Sequence, residues 1–174
     1  MSDIKTRYLP DIFGNVVQAV RDELEQPNLR YEFGHPREIA QTLRNDISEN
    51  TRRFPAIFLI LDTEEDMTSV SLYARYSLEV WICNETDGTW SAEKRGAENF
   101  VPILYPIYKC LLDKIAESSD FAVDNNLRPP HRKYDRYYLG KDGFDINGDA
   151  FDTKIDAIQI LDIDVGLHLA SDCL

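Results

Sequence analysis

Three cysteines in 174 residues, an odd number at widely separated positions, provide no disulfide framework. Cys83 and Cys110 fall in stretches patterned as strand and helix, where a thiol acts as a small packing residue, and Cys173 lies in the tail. The expected setting is a reducing, cytosolic one. No apolar run approaches the ~18 residues of a membrane-spanning helix, and Met1-Ser2-Asp3-Ile4-Lys5 opens without the apolar core of a signal peptide. Basic residues are scarce: 19 Lys and Arg stand against 31 Asp and Glu, a net charge of −12. Proteins that hold nucleic acid neutralise phosphates with clustered cations. Here the one short knot is His131-Arg132-Lys133 with Arg136, which argues against DNA as a held ligand. An acidic surface that DNA slides past without sticking stays compatible with this charge. A Gly-x-Ser-x-Gly elbow, a phosphate-cradling glycine loop and a dinucleotide fingerprint are also missing.

What is present is an ordinary globular composition, 43% hydrophobic and 11% aromatic. A chain of this size reads as one domain, residues 1–174, and buries about 68–70% of its unfolded surface without needing a metal or disulfide. Pro10 and Asp11 suit the first turn of a helix whose apolar face is Leu9, Phe13, Val16, Val17, Val20 and Leu24. Gln26-Pro27-Asn28 ends it, and Leu29 to Phe33 alternates as a short strand. Gly34-His35-Pro36 turns into a second helix bearing Ile39, Leu43 and Ile47. The run from Phe54 to Leu61 reads as a strand buried on both faces, and Asp62 to Asp66 as an acidic turn. Alternation then persists from Val70 to Ile82. That is longer than a usual strand, so a bend or an extended hairpin around residues 62–83 is expected.

The longest helical pattern carries Ala97, Phe100, Leu104, Ile107, Leu111 and Ile115 on one stripe. Pro102 and Pro106 interrupt it. Each removes an N–H and crowds the carbonyl four residues back, at ~3 kcal/mol in a straight helix. The helix therefore starts late, bends around a curved sheet, or is shaped to fit a neighbouring subunit. Because Phe100, Leu104, Ile107 and Leu111 read as core residues, loss of both prolines is expected to weaken subunit and assembly together. Further on, Ser118 to Arg132 is a polar excursion, Tyr134 to Leu139 a short aromatic strand, and residues 140–152 a long loop. In the last strand, Ile158 and Ile160 keep one phase while Leu161, Ile163, Val165, Leu167 and Leu169 keep the other. That slip predicts a β-bulge near Ile160–Leu161. The order of elements gives an α+β class: a mixed, mostly antiparallel sheet with helices packed on one side.

Candidate chemistry is thin. Asp145, Asn147, Asp149, Thr153 and Asp156 fall roughly at calcium-loop spacing, but Ala150 stands where the turn needs Gly and Asp156 replaces the bidentate Glu. Asp62, Glu64 and Asp66 could chelate magnesium as a nuclease does, yet no lysine follows at strand spacing; Arg75 is the base nearby. His35, His131 and His168 are too dispersed for zinc, and His35 suits a helix cap. No cofactor, metal or catalytic set is expected.

Four segments carry a resemblance: Tyr31-Glu32-Phe33-Gly34-His35-Pro36-Arg37-Glu38-Ile39, Arg53-Phe54-Pro55-Ala56-Ile57, Phe100 through Tyr108, and Asp135-Arg136-Tyr137-Tyr138-Leu139-Gly140. In this order, and across about residues 8–169, they resemble a family of virion proteins from tailed bacteriophages of gut bacteria. These are packing and turn motifs, and little matches around residues 142–149. The resemblance implies a tail-terminator-like fold and a homo-oligomeric, hexameric ring at the head–tail junction. Such a ring caps the tail tube, docks to the neck or connector proteins and lets DNA through without specific binding. It implies a virion component assembled in the host cytoplasm, with no membrane partner. Alternatives are another neck ring, an assembly chaperone, or a metal-dependent nuclease. Subunit contacts are expected at Tyr73, Arg75, Trp81, Pro102, Pro106 and Tyr108. An acidic loop is expected to face the lumen, either the one with Asp62, Glu64, Glu65 and Asp66 or the one with Asp142, Asp145 and Asp149.

Overall fold

The computed structural model describes residues 8–48, 54–66, 73–123, 127–137 and 155–168; side chains at 44, 46–48, 62–66, 73 and 168 fall outside that description. The elements in order are α1 (Leu9–Glu23), β1 (Arg30–Gly34), α2 (Pro36–Ser48), β2 (Ala56–Asp66) and β3 (Tyr73–Glu85). There follow α3 (Ala92–Arg95), a π-helix (Gly96–Leu104), α4 (Tyr105–Glu117), β4 (Phe121–Ala122), β5 (Arg132–Arg136) and β6 (Ile155–His168). Among the described residues the strands form one six-stranded sheet in the order β1-β2-β3-β6-β4, with β5 also pairing β6. β1 and β2 are parallel and the other pairs antiparallel, so the α+β class with a mixed, mostly antiparallel sheet is present. β4 and β5 lie end to end along one side of β6: Phe121 faces Leu167, and Arg132 to Arg136 face Leu161 to Ala157.

Strand alternation divides the core in two. Ile57 and Leu59 of β2, Leu78, Val80 and Ile82 of β3, and Ile158, Ile160, Ile163, Val165 and Leu167 of β6 pack against α1 and the long helix. Ala56, Phe58 and Ile60, with Cys83, Ile155 and Ala157, pack against Ile39 and Leu43 of α2 on the other face. Helices on one side therefore describes α1 and the long helix, whereas α2 covers part of the opposite face. β2 needs no polar face because both its sides are covered, which explains its continuous apolar run. Each fully buried aliphatic or aromatic side chain here contributes roughly 1.5–3 kcal/mol. On α1, Gly14 leaves room for the Tyr31 ring, whose hydroxyl donates to the Pro10 carbonyl at 2.8 Å.

The bulge in β6 lies where the phase slip placed it. Leu78 faces Ile163 and Val80 faces Ile160, so β6 uses one residue more than β3 between those pairs. Asp162 takes a left-handed φ of 55° there. The extra residue lets Ile160 and Ile163 point into the same core.

Two local expectations need correction. Asp62 to Asp66 is the second half of β2 rather than a turn, with Glu64, Glu65 and Asp66 opposite Ser77, Tyr76 and Arg75. The connection at residues 67–72 lies outside the described residues. β3 runs unbroken for 13 residues. It is paired to β6 from Tyr73 to Glu85, so the hairpin is embedded in the sheet and not a free arm.

The long helix resolves its prolines by a route outside those three, opening its turns. Over Gly96–Leu104 it adopts π geometry, and the Tyr105 N–H donates to the Phe100 carbonyl, five residues back. Pro102 sits exposed inside this segment and Pro106 in the first turn of α4, where a missing N–H is tolerated. The prolines stand off the buried stripe, which runs Arg95, Asn99, Phe100, Leu104, Ile107, Leu111, Ile115; Ala97 is exposed. Because buried side chains pin the inner side, exchanging both prolines for Ala should change stability by no more than about 1 kcal/mol per site, the scale of unfolded-chain entropy effects. This replaces the expected joint loss. A fall above ~3 kcal/mol in urea unfolding would mean that the prolines themselves hold the register.

Candidate functional site

The sheet presents two unlike ends. At the first, β1 pairs only β2 among the described residues. Tyr31 and Phe33 lie on its α1 face, opposite Ile57 and Leu59. Phe33 is 42% exposed and Tyr8 51%. Their rings meet edge-on at 6.0 Å, and Tyr31 lies 6.2 Å from Phe33. On the α2 face, Arg30 pairs with Glu32 and lies over the Phe58 ring. His35 caps α2 as its position suggested: its Nδ1 accepts from the Arg37 N–H at 3.3 Å, while Glu38 accepts from the His35 N–H at 2.9 Å.

At the second end, β5 carries the basic knot, and alternation splits it. Lys133 and Asp135 face α4. Lys133 Nζ lies 4.5 Å from the Tyr105 ring centre and 2.7 Å from Asp135 Oδ1, and the Tyr105 hydroxyl donates to Asp135 Oδ2 at 2.9 Å. The Tyr108 hydroxyl and His131 Nε2 are 2.7 Å apart, and His131 Nδ1 lies 2.7 Å from the Pro129 carbonyl oxygen. Burial, with the Asp135 carboxylate, pushes the Tyr105 phenol up to about 12, so it is neither base nor nucleophile near neutrality. Arg132, Tyr134 and Arg136 share the other face. Arg132 pairs with Asp162, and Arg136 donates to Gln159 Oε1 at 2.6 Å and lies over Tyr134 at 5.0 Å.

The residues nominated for subunit contact do not form one patch. Arg75 is exposed and 3.3 Å from Asp164, and Trp81 is half-buried with its Nε1 donating to Glu79 at 2.6 Å. Arg75 and Trp81 share the α2 face of β3, whereas Pro102, Pro106 and Tyr108 belong to the long helix behind the opposite face. The Tyr73 side chain lies outside the described residues, as do Asp142, Asp145 and Asp149 and the side chains of Asp62, Glu64, Glu65 and Asp66. No group of three or more His, Cys, Asp or Glu is placed to hold a metal among the described residues. The Cys83 and Cys110 thiols are pushed up by burial and stay protonated.

The most elaborate polar cluster is buried and was not visible in the sequence. Arg95 and Asp156 are both fully buried and meet at 2.6 Å. Arg95 Nη2 donates to the Asp87 carbonyl at 2.9 Å and Nε to the Trp90 carbonyl at 3.2 Å. Asn99 donates to Asp156 Oδ2 at 3.0 Å and accepts from Asn84 at 2.8 Å. Asp156, one of the calcium-loop candidates, thus has both carboxylate oxygens engaged inside the protein. The cluster ties β3, β6, the π segment and the loop before α3 together, which is structural work.

A second tie joins α4 to the chain before β5. Arg128 Nε lies 2.5 Å from Asp113 Oδ1. The guanidinium holds the Asp113 carboxyl below its ordinary range. A carboxylate depressed on folding stabilises above its unfolded range, and that contribution disappears as pH falls through the folded value. The pair is half-exposed, so Asp113→Asn should cost under ~1 kcal/mol near neutrality. The difference from wild type should vanish in acid, read from urea unfolding across pH.

No protein-family model and no curated protein matches the chain.

Proposed function

We propose that this chain is the subunit of a homo-oligomeric ring at the head–tail junction of a tailed bacteriophage, a tail-terminator-like protein that caps the tail tube and docks to the neck or connector. The observation that carries the ring is the pair of unlike sheet ends. An aromatic edge at β1 and a cationic edge at β5 on one subunit suit a head-to-tail contact, which gives a ring where the rotation between copies closes and a filament where it does not. The phage setting rests on the four resembling segments, and the net charge of −12 suits a conduit from which DNA must slide free. Another neck ring would use the same surfaces.

Light scattering on the purified full-length chain, with mass spectrometry of particles and tail-length measurement in a phage lacking it, tests the reading. A ring found in virions, with tails of irregular length in its absence, is expected. A strictly monomeric chain absent from particles would overturn it. Multimers made by infected cells but missing from finished particles would indicate an assembly chaperone. Magnesium-dependent DNA cleavage abolished by Asp62→Asn would indicate a nuclease.

A further inference from the structure

We infer that β1 of one subunit adds to the outer edge of β5 of the next copy, so that the sheets join across the contact. The inference deepens the ring reading by naming the two surfaces. Both end strands are five residues long, and each has one side without a partner strand among the described residues. In β1 the Arg30 N–H donates toward β2, to the Pro55 carbonyl at 3.0 Å. Backbone direction alternates along a strand, so Glu32 and Gly34 also turn to β2 while Tyr31 and Phe33 present their N–H and C=O groups outward. A strand pairing there satisfies groups that otherwise stand open, the usual route of edge-to-edge association.

The occupant is a second copy because the flanking chemistry matches on both faces. On the α2 face β1 carries Glu32, and Glu38 reaches back over Gly34; β5 carries Arg132 and Arg136 on its corresponding face. Among the described residues Arg136 is bonded to Gln159 and has no carboxylate partner. β1 and β5 run in opposite directions within the subunit, so joining them with the α2 faces on one side makes the pairing antiparallel; centre to centre it sets Glu32 opposite Tyr134 with both arginines on its diagonals, within reach of a carboxylate. On the other face, exposed Phe33 and Tyr8 come to the side bearing Tyr105, Tyr108 and exposed Tyr137. A β1–β1 contact would bring the acidic residues together instead.

The direct test is cross-linking in a Cys173→Ser background, the other two thiols being buried. Full-length Glu32→Cys and Tyr134→Cys proteins should each stay uncross-linked alone under mild oxidation and give a disulfide-linked heterodimer when mixed. The double variant should give a ladder ending at the ring size. In parallel, Arg136→Glu should raise the dissociation constant for self-association about tenfold or more, with Glu32→Lys restoring part of it in the double variant. A multimer that forms without the mixed cross-link and ignores Arg136→Glu would overturn the pairing while leaving the ring reading intact. A chain monomeric under all conditions removes both. Association gained only after deletion of residues 1–7 would assign the β1 edge to that segment and overturn the inference too.

Discussion

Asp156→Ala should destabilise the protein by about 3–5 kcal/mol, because it strands the Arg95 guanidinium without its carboxylate where water cannot reach. The cost is that of an uncompensated buried charge and exceeds the net worth of the pair. It should fall lower with Asp156→Asn, whose single amide oxygen keeps the acceptor for Arg95 but turns an NH2 toward the Asn99 amide donor. The apolar double exchange Arg95→Met with Asp156→Leu removes both charges, but it leaves the Asp87 and Trp90 carbonyls without Arg95 and Asn99 without its acceptor. Recovery should therefore be partial, and the double-mutant cycle should give a coupling near the upper end of the ~0.5–3 kcal/mol seen for contacting residues. Urea unfolding measures each value. A loss below ~1 kcal/mol for Asp156→Ala would show that water or a rearranged loop replaces the carboxylate.

That cluster also shows why part of the molecule was legible in the sequence and part was not. Apolar residues announce their faces: Ile158, Ile160, Ile163, Val165 and Leu167 give both the last strand and its bulge, since a phase change in a buried strand needs an extra residue. Arg95, Asn99 and Asp156 announce nothing, because charged and amide side chains are read as solvated unless their partners are known, and these partners lie 57 to 61 positions apart. The acidic stretch Asp62 to Asp66 reads as a turn in the sequence for a related reason. The stretch carries no alternating apolar signal, and among the described residues its pairing with β3 is what keeps it extended. The two sheet ends were legible only in part. Phe33 and Tyr134 were visible as strand residues, but which strands end the sheet is a property of topology. For that reason Arg75 and Trp81, chosen from a strand, and Pro102 and Pro106, chosen from a helix, lie on opposite faces of the sheet and make no single patch.

The π segment yields the second large effect. Phe100 is fully buried in the middle of the wide turns, its ring 4.5 Å from that of Tyr137 and 5.9 Å from that of Tyr105. Phe100→Ala should cost about 3–5 kcal/mol, toward the lower value if the partly exposed Tyr137 ring moves into the space. Its neighbour Val101 is 61% exposed, so Val101→Ala should stay within about 0.5 kcal/mol. The discriminating variant is Ala97→Glu. A regular α-helix read back from Phe100 places residue 97 on the buried stripe, where a carboxylate would be severely destabilising. The π register instead turns Arg95 inward and leaves residue 97 in solvent, so Ala97→Glu should be tolerated within about 0.5 kcal/mol. If Ala97→Glu proved as damaging as Phe100→Ala, the helix would be α-helical through this stretch, and Arg95 could not reach Asp156.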